Sequence, residues 1–586
     1  MLHTSTAFPS HLVLLLEAGG LCLLLLIAAA LPARGRDAGL CTLRLIRRLA
    51  PRGMSGPRLA LLAATVGLLA AAATTALLGG FPIAGCPDEH AYLLAAETFA
   101  EGRLTNPPVE HPGLVGQHCL ARPVHQSKYF PGQSLSLLPG VVLGQPGLSL
   151  WLHTALLVGA AALCFRSWMP TSWAVVGVLL VLLRLGVGSY WNHTYWGGSV
   201  AAAGGFLAWA GGARLLRRPE SSSGALMLSI GAMTLAGTRP FEGMLSLLPL
   251  GVALALELRR LPLRRLVGSA AILALVGGSG LAALAGYNQA ITGSPLRTPH
   301  ELYADTTSLP GEFVWQRWGA DGRLHWYEDD LVPTDDLGWI GAAAQLLLQR
   351  AAKAPYFLVG PALCVALLMA AASLVRTIHE PATTRRLPLW PAAVAVATVL
   401  LGHASIEAYF PHYSAPIAAP LWLLALAALR RLVWRPPAVA RWSPALLPIA
   451  LVLQIPATAL QQPAFRHDPD DIASIRVAVT RRLEQVGGRH LVLVAAGHGM
   501  AVANPPLPLQ ADVIWAIDAG DDATRRLLAA VQDRRLWLWR GELGGEVVPL
   551  DPEHYLLRRE APVASSADAP PAAERPAKST ADLDRR

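Results

Sequence analysis

The chain has 586 residues, of which 53% are hydrophobic and 15% charged, and its formal net charge is +9. It is too long for one soluble domain and too apolar for several, so it is a membrane protein. The positive charge does not indicate nucleic acid, because the arginines fall in separate clusters between apolar runs and form no continuous binding face.

Taken in order, the apolar runs predict about twelve transmembrane helices, at 11–31, 59–80, 147–165, 172–190, 197–216, 224–237, 243–258, 266–286, 356–375, 388–402, 414–429 and 443–460. The runs 224–237 and 388–402 are short and must borrow flanking residues or tilt. The arginines between 34 and 58, Arg214/Arg217/Arg218, Arg259/Arg260/Arg264/Arg265, Arg376/Arg385/Arg386 and Arg430/Arg431/Arg435/Arg441 occupy alternate loops, as the positive-inside rule asks of the cytoplasmic side. Loops 81–146, 191–196, 238–242, 287–355 and 403–413 then face outward, with both termini and everything after 460. The first run lacks the basic region that precedes a signal-peptide core, and its Glu17 reads as a bundle-facing or interfacial carboxyl.

The first external loop concentrates the polar chemistry. Between Cys86 and Gly140 it holds the pair Asp88-Glu89, four histidines, two cysteines and Lys128. Of the 48 basic residues in the chain only three are lysine, so an ammonium at 128 departs from the local habit; Lys meets phosphate as a point charge where Arg meets it as a flat fork. Residues 88–100 show helical spacing after Pro87 and predict an amphipathic helix on the membrane surface, with Asp88 and Glu89 in its first turn, where the helix dipole favours carboxylates. A second apolar turn, Gln133 to Gly140, is expected to dip toward the membrane. In an oxidising compartment Cys86 and Cys119 are a candidate disulfide around the acidic pair.

Further along, the aromatic turn Tyr190–Gly198 reads as an interfacial belt, with His193 in it. Thr238-Arg239-Pro240-Phe241-Glu242 places an arginine on the outer side, where it needs a neutralising partner: Glu242 or a phosphate. The loop 287–355 is aromatic, and acidic at 328–336. Glu407 to Pro416 leads back into the membrane. After 460, alternating helices and strands predict a small α/β domain, and from 560 the composition is that of a disordered tail. The organisation is therefore an N-terminal helix and basic loop (1–58), a transmembrane domain (59–460), an external α/β domain (461–559) and a tail (560–586).

In their order and common sidedness, Asp88-Glu89, Glu101-Gly102-Arg103, Lys128-Tyr129-Phe130-Pro131-Gly132, Thr238-Arg239-Pro240 and His412-Tyr413 resemble the bacterial GT-C glycosyltransferases, polytopic enzymes akin to protein O-mannosyltransferases and the lipid A aminoarabinose transferase. The resemblance spans residues 59–430, and the C-terminal part looks like a domain appended in an uncharacterised branch. It implies a GT-C-like helical fold in the bacterial inner membrane, a polyprenyl-phosphate-linked sugar donor, a lipid, glycan or protein acceptor, and transfer at the outer face with inversion. Asp88 would be the general base, and Glu89 a second carboxylate for a sugar hydroxyl or a divalent cation. Lys128 and Arg239 would hold the phosphate, with His412 or Tyr413 lining the same cavity. Two other classes stand beside this reading. A transporter or flippase would show internal repeats and helices broken at the midplane, and an envelope assembly scaffold would leave the Asp88 loop without a task.

Overall fold

The structure, a computed structural model, describes residues 11–49, 53–307, 313, 338–379, 387–406, 409–461, 465, 468–469, 471–518, 522–540 and 546–551. The acidic run 328–336, Glu407 and the tail from 560 lie outside the described residues.

Among the described residues, six helices are long and apolar enough to cross a membrane, or eight if each of two bent pairs is one span. They are Gly56–Leu78, Leu148–Trp168, Pro240–Leu258, Val267–Thr292, Pro411–Trp434 and Ser443–Gln461. This is fewer than the twelve apolar runs of the sequence, for local reasons. Thr171–Val187 and Trp390–His403 are short, and Gly198–Arg217 carries Arg214 and Arg217 in its last turn. The run expected at 356–375 is two helices, bent by 114° where Val359 gives way to Pro361; the corner is Gly360, whose φ of +81° suits a residue without a Cβ. The first run is likewise bent by 112° into Pro32–Leu49. The basic stretch read as a loop is thus largely helix. Its Leu43 and Ile46 are buried, and Arg47 lies over the Trp434 ring at 4.9 Å.

Burial separates the centre of the bundle from its rim. In Leu148–Trp168 and Pro411–Trp434 the apolar window is 72% and 78% buried, against 6% in Val267–Thr292, so the first two lie in the core and the last at the rim. Glu17 is bundle-facing: it pairs with Arg184 and accepts from the Tyr356 hydroxyl. Arg184 also donates to the carbonyls of Phe357 (2.9 Å) and Tyr356 (2.7 Å), which ties its π-helical turn, Leu182–Val187, to the bent pair. Two buried charges satisfied in this way anchor the centre of the fold at a geometry that either partner alone could not hold.

Small residues set the spacing near the site. Helix Gly198–Arg217 meets Ser222–Thr238 so closely that a Cβ on Gly231 would lie 2.5 Å from the Ala208 nitrogen, the small-residue contact expected between membrane helices. Helix Pro131–Val142 then starts against the end of Ser222–Thr238, and a Cβ on Gly132 would stand 2.6 Å from the Gly237 carbonyl oxygen. Backbone cannot yield there as a side chain would. Gly132→Ala is expected to destabilise by about 1–3 kcal/mol, as overpacking does, and thermal unfolding in detergent would measure it; an unchanged melting temperature would remove this contact from the site's foundations.

Residues 472–549 form a four-stranded sheet in the order β4 (Val513–Asp518), β3 (His490–Ala495), β5 (Arg535–Trp539), β6 (Val547–Pro549). The first three strands are parallel and β6 is antiparallel to β5. Alternation divides the faces. Val492, Val494, Trp515 and Trp539 meet Ile475, Val479 and Leu483 of helix Ile472–Val486, while Leu491, Leu493, Ile514 and Ala516 meet Leu527 and Leu528 of helix Asp522–Ala530 and, from far away in sequence, Leu114.

Candidate active site

Helix Pro87–Ala100 begins at a proline after Cys86, and the Cys86 side chain gives it no capping bond. It is not the expected surface helix. Glu89, Ala91, Tyr92, Leu94, Ala95, Ala96 and Thr98 are buried, because its small apolar residues face packing on more than one side and no broad polar face is left to water. Asp88 remains 37% open, whereas Glu89 is 4% exposed and points into the bundle. The two carboxylates therefore part company.

Glu89 accepts from the Gly85 N–H at 2.7 Å through one oxygen and from the Tyr195 N–H at 2.6 Å through the other. It clasps the start of the helix to the turn at 190–197. Gln133 donates to the Tyr195 carbonyl (2.7 Å) and Trp196 Nε1 to Cys86 Sγ (2.9 Å), which adds the neighbouring helix to the same clasp. The aromatic turn is accordingly not an interfacial belt: Tyr190, Trp191, Tyr195 and Trp196 are all buried, and His193 stacks on Phe465 at 4.6 Å.

Asp88 gathers a polar cluster. The Tyr129 hydroxyl donates to Oδ1, and His118 Nε2 lies 3.8 Å from Oδ2. His118 has a φ of +64°, the left-handed region that non-glycine residues rarely enter. A minimal hairpin, β1 (Cys119–Leu120) against β2 (Gln126–Ser127), pairs Cys119 with Ser127, so that Lys128 returns beside His118 and its N–H donates to the His118 carbonyl at 3.0 Å. The Lys128 ammonium sits 5.1 Å from the ring centres of both Tyr129 and Tyr303. Tyr129 stacks on Tyr92 at 4.6 Å. Burial by itself would push the Asp88 carboxyl up, but His118, the Tyr129 hydroxyl and Lys128 together hold it below the usual carboxylate value. Burial and the Asp88 charge conversely keep the Tyr129 phenol protonated far above its usual range.

Arg239 and the 410–413 segment form the neighbouring group. The Arg239 guanidinium lies over the Tyr413 ring at 4.1 Å, and Tyr413 is near enough to Tyr129 to oppose ionisation of its phenol. His412 is buried: its Nδ1 bonds the Tyr190 hydroxyl at 2.7 Å, its ring stacks on Phe410 at 5.6 Å, and its backbone N–H donates to the same hydroxyl at 3.1 Å. Of the six residues marked in the sequence, Asp88, Lys128, Arg239 and Tyr413 thus border one region. Glu89 and His412 stand behind it as supports.

Among the described residues no group of three or more His, Cys, Asp or Glu is placed to hold a metal ion, and both Glu89 oxygens already accept backbone N–H bonds. The disulfide expectation is corrected. Cys86 and Cys119 are free, buried thiols, one packed with the bundle core and the other with Ala91 and Leu94. Alkylation of the denatured, unreduced protein is expected to label all six cysteines; two unlabelled thiols would reinstate the bridge.

Tyr129, His118, Tyr303 and Tyr190 carry interactions that sequence reasoning gave no role. For Tyr303 a signal was present: Thr298, Pro299 and Glu301 spell a capping box with proline at the first helical position. In the structure Glu301 N–H donates to Thr298 Oγ1 (3.2 Å) and Thr298 N–H to Glu301 Oε2 (2.8 Å), starting the helix Pro299–Thr307 that presents Tyr303.

No known protein family's profile matches this chain, and no curated protein matches it. Among solved structures, it is similar to ArnT from Cupriavidus metallidurans bound to undecaprenyl phosphate, with a TM-score of 0.49 and 12% identity over 85% of this chain and 94% of that one. The apo state of the same protein gives a TM-score of 0.48 with the same identity and coverage.

Proposed function

We propose that this chain is a glycosyltransferase of the bacterial inner membrane, moving a sugar from a polyprenyl-phosphate-linked donor to an acceptor hydroxyl at the outer face, with inversion. The observation that carries this reading is the partly open Asp88 carboxylate, held near a buried ammonium and within the same region as a guanidinium.

In this reading the acceptor oxygen forms its bond to the anomeric carbon as the bond from that carbon to the phosphate oxygen breaks. The acceptor's proton passes to Asp88, and the bonding electrons leave with the lipid phosphate, whose charge is met by Lys128 and Arg239. Tyr129 orients the carboxylate through its hydroxyl, and Tyr413 supports the guanidinium through its ring. Glu89 and His412 hold the surrounding backbone. A carboxylate below its usual pKa is a weak base, which suits a phosphate leaving group: the acceptor gives up its proton only as its new bond forms. The C-terminal α/β unit lies on the outer side with the site.

The two sharply bent helix pairs would suit a transporter, yet one corner is closed rather than open to a substrate, since a Cβ on Gly360 would lie 3.6 Å from the Arg184 guanidinium carbon. The test is a comparison of envelope glycans and lipids, by mass, between cells with and without the gene. A missing sugar increment is expected in the latter; identical envelopes would overturn the reading.

A further inference from the structure

The first external loop passes beyond the Asp88 site into the C-terminal sheet. Leu114, fully buried, packs among Leu491, Leu493, Ile514 and Leu527. Asn504 Nδ2 donates to the Leu114 carbonyl at 2.8 Å and the Trp515 carbonyl at 2.7 Å, while Asn504 Oδ1 accepts from the Trp515 N–H at 2.9 Å. The loop hugs the sheet: a Cβ on Gly113 would lie 3.1 Å from the Ile517 carbonyl oxygen, and one on Gly116 would lie 2.9 Å from that of Val502. A second tie is Arg476, which reaches the Ala503 carbonyl at 3.5 Å and the Ala84 carbonyl at 3.4 Å, just ahead of the Asp88 helix.

Directly after this anchored stretch comes His118. Its left-handed backbone disfavours any L-residue, and such a conformation persists only where the surroundings over-determine it. We propose that the C-terminal α/β unit is a positioning element for the Asp88 site, with Leu114 and Asn504 as positioning residues that hold loop 112–118 so that His118 meets Asp88. The importance of this placement rests on the transferase reading; the anchoring does not. A sheet appended after the last membrane span thereby becomes part of the wall of the site. The hydrophobic plug fixes the loop's depth, and the asparagine, bridging loop and β4, fixes its register. His118 is among the groups that hold the Asp88 carboxyl below its usual value, so a slack loop would loosen that control.

Cys119, next to His118, is a built-in reporter. Burial pushes its thiol up to about 12, partly offset by Lys128, so it is protected in the native loop from N-ethylmaleimide, which attacks thiolates. In full-length protein in detergent, Leu114→Ala and Asn504→Asp are each expected to speed Cys119 alkylation roughly tenfold or more, because losing a buried plug or a buried donor favours local opening. Asn504→Asp keeps the acceptor for Trp515 but turns the two donations into repulsion between a carboxylate and the Leu114 and Trp515 carbonyls. Leu114→Met should restore protection. Cys164, buried in the bundle core, must stay unlabelled throughout. Unchanged Cys119 protection overturns the proposal, and so does labelling of Cys119 that rises only together with Cys164, which would make the unit a support of the whole fold.

A second readout concerns the pair itself. In histidine-labelled protein the imidazole resonance of His118, assigned by its loss in His118→Gln, should shift on Asp88→Asn; in the Leu114→Ala background that response should fall by half or more. An undiminished response would show that His118 keeps its place without the anchor. Failure of either readout leaves the expected loss of transfer in Asp88→Asn standing, so the two readings fall separately.

Discussion

Asp88→Asn is expected to abolish transfer while the protein remains folded. General-base catalysis contributes ~10²–10⁴-fold in rate, and asparagine keeps the shape and still accepts the Tyr129 hydroxyl but takes no proton. An aspartate that served only the helix start would behave differently, because Asn serves an N-terminus about as well as Asp. Initial rates of the purified variant, with its melting temperature as control, distinguish the two. The pH dependence carries a further mark. The Asp88 carboxyl is held below its usual value, so its base form, and any stability its partners contribute, persists above that range and is lost only as pH falls through the depressed value. A limb of the rate profile near neutrality would place the base elsewhere.

The second large effect is expected at Lys128. Removing it as Lys128→Ala should weaken binding of a polyprenyl phosphate strongly, since a charge-assisted hydrogen bond is worth ~1.5–3 kcal/mol. Lys128→Arg should recover only part of this. The ammonium lies between the rings of Tyr129 and Tyr303, 5.1 Å from each centre, and it is 8% exposed; a longer, planar group must displace a ring or move its charge. Equal affinity of Lys and Arg variants would mean that residue 128 only brings its charge to the interface, and the phosphate assignment would fall.

The sequence disclosed the site's charges far better than its supports. Asp88, Lys128 and Arg239 stood out because each breaks a local trend: acids and a lysine in an otherwise apolar, arginine-rich chain, and an arginine on the side where few are found. The strand positions after residue 488 were equally legible from alternation and from runs of Val, Leu and Ile. Glu89 was not separable from Asp88 by composition, because two neighbours on a helix start diverge by about 100°, and only packing decides which one meets solvent. The aromatic turn misled for a related reason. Tyr, Trp and His at a helix end look alike whether they face lipid headgroups or plug a bundle, and the difference lies in partners such as Glu89 and Gln133, distant in sequence. Hydropathy is blind to corners: the run 356–375 reads as apolar throughout, yet Gly360 breaks it into two helices bent by 114°.

The most direct measurement of the central claim is the lipid extract of cells carrying Asp88→Asn in place of the wild-type gene. With transfer blocked after donor binding, a polyprenyl-phosphate-linked sugar is expected to accumulate, visible as a mass above the free polyprenyl phosphate, while the matching increment disappears from an envelope lipid, glycan or protein. Wild-type cells should show the reverse. Extracts and envelopes indistinguishable between the two strains, with the variant present at wild-type levels, would contradict the assignment of Asp88 as the base.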